Sequence, residues 1–496
     1  MGIVIRQSIG AAVFSYIGVA LGVVSTLFIF PNYLTPTQLG LTMGVMLPLA
    51  SILSIFSMLG TSNTAYYYAA HFKNDATHQP RFLQFLFRML LIGIVIVCFA
   101  FFLFKSFFVF HYQKNSALFI EYYWWVMPLI IFVSLYNFLE AYIKSQSDII
   151  FTNFTREVLL RLLTLGCLLF YILHIFNFHQ FVIAFVLIWA ILFFTIFIYC
   201  LNKDWFKWSN DIEFNAIVTK NTMFQYSLVN VLSGAAWALA SNIDSLMIAK
   251  YSGLENAGIF RLAVFICTVV QVPQRSMTQI LITLLSEHWK NNALDKIEEL
   301  YKNSSLQLII TGGFLVMLIV INIENFLKIL PPTFSQSGDT KWVVMLLCIA
   351  RLIDMATSIN GEIIQTSKQY KFNFYLIIGL LIFTIFSNYL LIPKYGIIGA
   401  AVAGMLTVIF FNITKLIFVW IKFGIQPFSF KSVIAIVLSF VVGISILFLP
   451  DITNPFLSII YKSSLATIVF AISLISLKIS PEINKLVFKS FSIFTK

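Results

Sequence analysis

Residues 180–201 read QFVIAFVLIWAILFFTIFIYCL, 22 residues without one charged side chain. As an α-helix this stretch rises about 33 Å, enough to cross the roughly 30 Å hydrocarbon layer of a bilayer. It is too long for one barrel strand and lacks the alternation such a strand needs. Working outward in both directions, thirteen further stretches of the same kind follow, the first starting near residue 9 and the last ending near 478. The whole chain of 496 residues is 60% hydrophobic and 10% charged, with mean hydropathy +0.92. No water-soluble core hides so much apolar surface, so lipid is the solvent for most side chains. The expectation is an all-α polytopic membrane protein of about fourteen transmembrane helices. Its first run, from beyond Arg6 to Pro31, has no small-residue cleavage site and reads as a retained first helix.

The formal net charge of +12 does not point to nucleic acid. Most Lys and Arg fall in alternate connections, among them Lys73, Arg81, Lys144, Lys203, Lys207, Lys290, Lys296, Lys302, Lys368, Lys371 and Lys422. That asymmetry is the positive-inside pattern, and with an even number of spans it sets both termini in the cytoplasm. The cysteines Cys98, Cys167, Cys200, Cys267 and Cys348 sit singly in apolar runs, so neither a disulfide framework nor a zinc site is indicated. No Walker A loop, GxSxG or HExxH is present, so no cofactor, metal or enzyme chemistry is expected.

Two pairs of strings repeat at nearly the same offset. YLTPTQLG (Tyr33–Gly40) is echoed by YSGLENAG (Tyr251–Gly258) 218 residues on, and HFKN (71–74) by HWKN (288–291) 217 residues on. Six spans separate the copies, so both share one orientation, as expected for two parallel lobes related by an axis along the membrane normal. The expected organisation is an N-terminal lobe (1–201, helices 1–6), a cytoplasmic linker (202–221), a C-terminal lobe (222–421, helices 7–12) and an appended pair, helices 13–14, with a cytoplasmic tail (422–496). The charged stretch 287–305 is expected to be a surface-lying helical connector.

Ionisable groups within spans cost at least about 2.5–3.5 kcal/mol each near the bilayer centre, so they persist where a partner or a polar cavity receives them. Arg351 lies near the middle of its span, with Asp354 three residues on and on the same helical face. Asn360 and Glu362 continue a polar path. Two readings stay open: an ion pair locking the helix to its neighbours, or a ligand site. Arg261 and Arg275, fourteen residues apart, are expected on nearly one face of one helix, with Arg275 in reach of headgroups. Arg161 with Glu157, and Glu140, read as interfacial anchors, as do Asp244, Glu324 and Lys462. A guanidinium suits phosphate because its fork donates two parallel hydrogen bonds.

NYLLIPKYGIIGAAVAGM (388–405), ARLIDMATSINGEIIQTSKQY (350–370), NIDSLMIAKYSGLENAGIFRLA (242–263) and SYIGVALGVVSTLFIFPNYLTPTQLGL (15–41) resemble segments of bacterial oligosaccharide flippases. These are the Wzx-type polysaccharide biosynthesis proteins of the multidrug/oligosaccharidyl-lipid/polysaccharide exporter superfamily, which also holds MATE drug exporters and the lipid II flippase. The resemblance implies an inner-membrane transporter, not an enzyme, that moves polyprenyl-diphosphate-linked oligosaccharide to the periplasmic leaflet by alternating access. It implies a cationic cavity, carried onto this chain at Arg261 and Arg351, and other polysaccharide-assembly proteins as partners. A coupling ion, Na+ or H+, would use Asp354 or Glu362 as carrier. The first lobe is poor in deep basic residues apart from Arg161, which departs from a symmetric cationic cavity. The competing expectation is an ion-coupled MATE-like exporter of small molecules, which favours acidic deep residues.

Overall fold

A computed structural model describes residues 2–72, 78–146, 148–206, 220–335 and 339–479. Among these residues every regular element is a helix and no β-strand occurs. Among the described residues ten helices are long and apolar enough to cross a membrane, and the bent pair Asp339–Ala356 and Asn360–Thr366, meeting at 45°, makes an eleventh. This is a multi-pass helical membrane protein. The expected count of fourteen exceeds that number, in part because two of the long helices are internally broken. Lys220–Thr268 is broken at Gly253 (φ 91°) and Lys371–Phe423 at Gly396 (φ 55°). Both breaks need a left-handed backbone that a side chain would strain, which is why glycine stands there. The run 149–172 carries Arg156, Glu157 and Arg161 and falls outside the apolar criterion.

The chain divides into two units, residues 1–262 and 263–496. In the first, the echoed strings mark helix junctions. Thr35 caps the Pro36–Leu39 helix in a reciprocal box: its hydroxyl accepts from the Gln38 amide and its own amide donates to Gln38 Oε1 at 3.0 Å. The second copy holds the break at Gly253. The two copies pack on each other. A Cβ on Gly40 would collide with the Leu254 carbonyl and come 3.0 Å from the Gly258 nitrogen. One on Gly258 would collide with the Pro36 carbonyl and come 2.9 Å from the Gly40 nitrogen. Leu254 follows Pro36, and Gly258 follows Gly40, by the same 218 residues. The contact is therefore self-complementary, a local two-fold clasp made possible by absent side chains. Of the second echo, Lys73 and Asn74 lie outside the described residues, as does the side chain of His71.

Three π-helical segments, Val24–Ile29, Gly40–Met46 and Phe154–Leu159, all fall in the first unit. Each inserts a residue into its helix and turns the side chains beyond it, a distortion common at functional positions.

In the second unit, Phe430–Leu447 and Pro455–Ser476 pack on Leu294–Ile329 through Ile309, Met317, Val442 and Phe470. Gly313 faces Ser439 and Gly443 faces Met317, so small residues let these helices approach closely. The charged stretch expected as a surface helix is instead the first turns of Leu294–Ile329, where Lys302 pairs with Glu298 at 2.6 Å. The connection shrinks to residues 291–293. Of the linker 202–221, residues 207–219 lie outside the described residues, as does the tail beyond 479.

Candidate functional site

The second unit holds a polar cluster built at three interruptions of regular helix. A 3-10 turn, Val269–Gln271, precedes the Val272–Lys290 helix, whose first turn carries Pro273. The break between Ala356 and Asn360 is a second, with Ser358 at φ 51°. It is pinned to the Leu294–Ile329 helix, since the Ser305 hydroxyl donates to the Ala356 carbonyl at 2.6 Å and the Ser358 hydroxyl to Ser304 Oγ at 2.7 Å. The third lies at Gly396, whose second arm brings Asn412 and Lys415 inward. Broken helices at membrane depth expose backbone groups, which are tolerated where protein or water receives them.

Asp354 stands at the centre. Its carboxylate accepts from Asn412 Nδ2 at 3.0 Å, Gln274 Nε2 at 3.4 Å and Gln271 Nε2 at 3.5 Å. Asn412 Oδ1 in turn accepts from the Thr357 hydroxyl at 2.9 Å and from Asn360 Nδ2 at 3.5 Å. Lys415, one turn past Asn412 and only 6% exposed, places its ammonium 4.2 Å from the centre of the Phe411 ring. It lies within electrostatic reach of both Asp354 and Glu362. Gly361 lies beside it, where a Cβ would make ordinary van der Waals contact 3.7 Å from Lys415 Nζ.

The expected pairing of Arg351 with Asp354 is not made. Among the described residues Arg351 has no ion pair, and its Nε is buried without a hydrogen-bond partner, as is Asn360 Oδ1. The amides of Gln271, Gln274 and Asn412 take the carboxylate instead. Asp354, Asn360 and, through Lys415, Glu362 do come together. Arg261 belongs to the first unit, half-buried and within electrostatic reach of Asp244. Arg275 is exposed, and the 3-10 turn between it and Arg261 interrupts the single helical face expected to carry both. Cys267 and Cys348 are not isolated: their sulfurs lie 3.2 Å apart, and Cys267 also faces the Val344 carbonyl.

The first unit holds a second polar cluster, of which sequence reasoning passed over Arg156 and Asn137. Arg156, on the Phe154–Leu159 π-segment, pairs with Glu140 of the Val126–Ser145 helix and donates to Asn137 Oδ1 at 3.2 Å. Lys144 pairs with the same Glu140 at 2.8 Å. Arg161 pairs with Glu157 and donates to its carbonyl, as the i,i+4 spacing predicts. Among the described residues no group of three His, Cys, Asp or Glu is placed to hold a metal ion.

The profile of the polysaccharide biosynthesis protein family matches residues 5–288, more than half the chain. The chain belongs to this family. CapF, a capsular polysaccharide biosynthesis protein of Staphylococcus aureus, is 24% identical over 244 residues, which make up 48% of this chain. That match spans 59% of the relative's length. Among solved structures, the lipid II flippase MurJ in an inward closed conformation superposes with TM-score 0.75 at 12% identity, covering 94% of this chain and 98% of MurJ. An inward-facing multidrug resistance MATE family transporter of the MOP superfamily gives 0.58 at 14% identity, covering 86% and 95%. At 12% and 14% identity these likenesses are of fold alone.

Proposed function

We propose that this polysaccharide biosynthesis protein is a transporter, not an enzyme, that flips polyprenyl-diphosphate-linked oligosaccharide from the cytoplasmic to the periplasmic leaflet for surface polysaccharide assembly. The observation that carries this reading is the deep cation Arg351, which makes no ion pair among the described residues, beside Lys415, which has two carboxylates in electrostatic reach but no ion pair. A cation left unneutralised at membrane depth is costly unless an anionic group visits it. The diphosphate of a lipid-linked glycan supplies such a group, and its sugars cannot cross hydrocarbon unaided because desolvating them is prohibitive. CapF's role in capsular polysaccharide biosynthesis and MurJ's as a lipid II flippase support the same substrate class.

In this reading the protein sits in the inner membrane with both termini in the cytoplasm, and works beside other polysaccharide-assembly proteins. Its fourteen helices form lobes 1–201 and 222–421 joined by 202–221, with 422–496 appended, and the lobes alternate access. Arg261, Arg351, Asp354 and Asn360 face the substrate, with Arg275, Arg161 and Glu362 secondary. Asp354 or Glu362 carries a coupling Na+ or H+. The test is a leaflet assay with purified protein in vesicles loaded with lipid-linked glycan. Accelerated appearance of glycan on the far leaflet is expected; no acceleration over protein-free vesicles, across several glycan lipids, overturns the proposal.

One observation favours a second reading. The centre of the cluster is the carboxylate of Asp354, with Glu362 nearby, and acidic centres suit an ion-coupled MATE-like exporter of small cations. Uptake of a fluorescent organic cation by the same vesicles under an imposed Na+ or H+ gradient distinguishes the two.

A further inference from the structure

The Thr61–Phe72 helix carries TSNTAYYYAAHF, an unusual run for a segment at membrane depth. Its depth is fixed by two contacts with the membrane-spanning His78–Leu103 helix, one from Ser57 just before the segment starts and one at its last residue. Gly93 lies against the Ser57 carbonyl, and the rings of Phe72 and Phe82 stack with centroids 4.7 Å apart. The segment therefore runs beside residues 82–93, within the span rather than beyond it. Thr61, Thr64, Ala65 and Phe72 are buried, whereas Asn63, Tyr66 and Tyr67 are exposed on one face, at i, i+3 and i+4. Tyr66 is 50% exposed and Tyr67 57%. An amide and two phenols turned to hydrocarbon would forfeit their hydrogen bonds, so this face meets water.

The face continues onto the helix that starts at Lys220. Tyr67 stacks on Tyr226 with centroids 4.7 Å apart and planes at 27°, and Asn63 Nδ2 donates to Asn230 Oδ1 at 3.5 Å. Thr64 and Ser227 hydroxyls join the two helices behind it. On the other flank Tyr66 lies within electrostatic reach of Glu140 and Arg156, whose guanidinium side chain is 40% exposed despite its ion pair. Flat aromatic faces bordered by planar donors and acceptors match one kind of ligand. A pyranose ring presents weakly positive C–H groups on its faces, which suit the negative face of a phenol ring, and hydroxyls at its rim, which suit amides, carboxylates and guanidinium.

We propose that this face is a pyranose-binding subsite, with Tyr67 as the stacking platform and Asn63, Tyr66 and Arg156 as rim contacts. It rests on the lipid-linked glycan reading and deepens it: the sugar portion is read here, on groups that bear little net charge.

The test uses the full-length protein in nanodiscs with maltotriose and chitotriose as neutral pyranose probes, read by saturation-transfer NMR. Transfer to the sugar ring protons is expected in the wild type and in Tyr67→Phe, and its loss in Tyr67→Leu, which keeps apolar bulk without a ring. In the vesicle assay Tyr67→Leu is expected to slow glycan flipping about tenfold, the scale of one aromatic contact, with Tyr67→Phe near wild type. No transfer from either probe in the wild type, or equal transfer in Tyr67→Leu, overturns the subsite. Ring-dependent transfer without any flipping keeps the subsite and overturns the flippase reading instead.

Discussion

The two polar clusters solve the same problem in opposite ways. In the first unit three bases hold carboxylates: Arg156 and Lys144 share Glu140, and Arg161 holds Glu157. In the second, Asp354 is held by three amides, while Arg351 and Lys415 have no ion pair among the described residues. Neutralised pairs make anchors, because removing one partner strands the other charge. An amide-solvated carboxylate beside unpaired cations keeps its electrostatic capacity for something that comes and goes. The first arrangement fixes helices and the second is suited to a ligand. That contrast also bears on the lopsidedness of the sequence: Arg156, Lys144 and Arg161 of the first unit are neutralised by Glu140 and Glu157.

The contrast breaks most visibly at Glu140. Glu140→Gln strands Arg156, and should destabilise the protein by about 2–3 kcal/mol, less than the ~3–5 kcal/mol of a fully buried pair because Arg156 is 40% exposed. Thermal unfolding in detergent measures it, and a loss below about 1 kcal/mol would mean the anchor is dispensable. The next largest effect concerns what holds the first unit besides charge. Gly258→Ala drives a methyl into the Pro36 carbonyl, and should cost about 1–3 kcal/mol by overpacking. Gly40→Ala meets the reciprocal Leu254 carbonyl and should cost a similar amount. A large difference between the two would show the clasp to be less symmetric than its geometry.

In the second unit the prediction reverses sign between stability and function. Arg351→Ala removes no ion pair and leaves unfolding within about 1 kcal/mol, while slowing glycan transport at least about tenfold, equivalent to 1.4 kcal/mol. Loss of folded protein instead would make Arg351 an anchor like Glu140. Exchanging the two residues, Arg351→Asp with Asp354→Arg, should not restore transport, because the amides around position 354 donate and cannot serve a guanidinium.

The apolar runs made the helical membrane fold legible, and the 218-residue echo located the junctions that meet in the clasp. What pattern could not show is where helices stop. Arg351 and Asp354 share a face on an ideal helix, yet the break at Ser358 brings Asn412 to the carboxylate from 58 residues away. Asn412 and Lys415 were a visible signal, a polar pair at i,i+3 in FFNITKLIF, and so were Gln271 and Gln274 in VVQVPQRS. Arg156 was hidden by its neighbour: the i,i+4 spacing of Glu157 and Arg161 is local, whereas Glu140 is reached only across a helix hairpin and a π-segment that shifts register. Cys267 and Cys348, 81 residues apart, meet for the same non-local reason.

The smallest effect tests whether the first unit's device works when moved to a helix end of the second. Asp451, in the turn before Pro455, accepts from Asn325 Nδ2 at 2.8 Å and from Ser458, and pairs with Lys462 at 2.7 Å. These donors, Asn325 foremost, hold its carboxyl well below the usual carboxylate range. A carboxyl depressed on folding stabilises the native state above its unfolded value of about 3.9, and that stabilisation fades as pH falls from there through the folded value. Asp451 is 35% exposed, so solvent screening keeps the contribution to about 1 kcal/mol or less. Asp451→Asn should therefore lower the unfolding temperature slightly at pH 7, with the gap to wild type narrowing as pH drops below about 4. Because Lys462 is nearly buried, Lys462→Met with Asp451→Asn should recover part of the loss, as an apolar replacement does for a paired charge. A gap that stays constant with pH would assign Asp451 to turn geometry rather than to charge, and would confine the anchoring device to Glu140 and its bases.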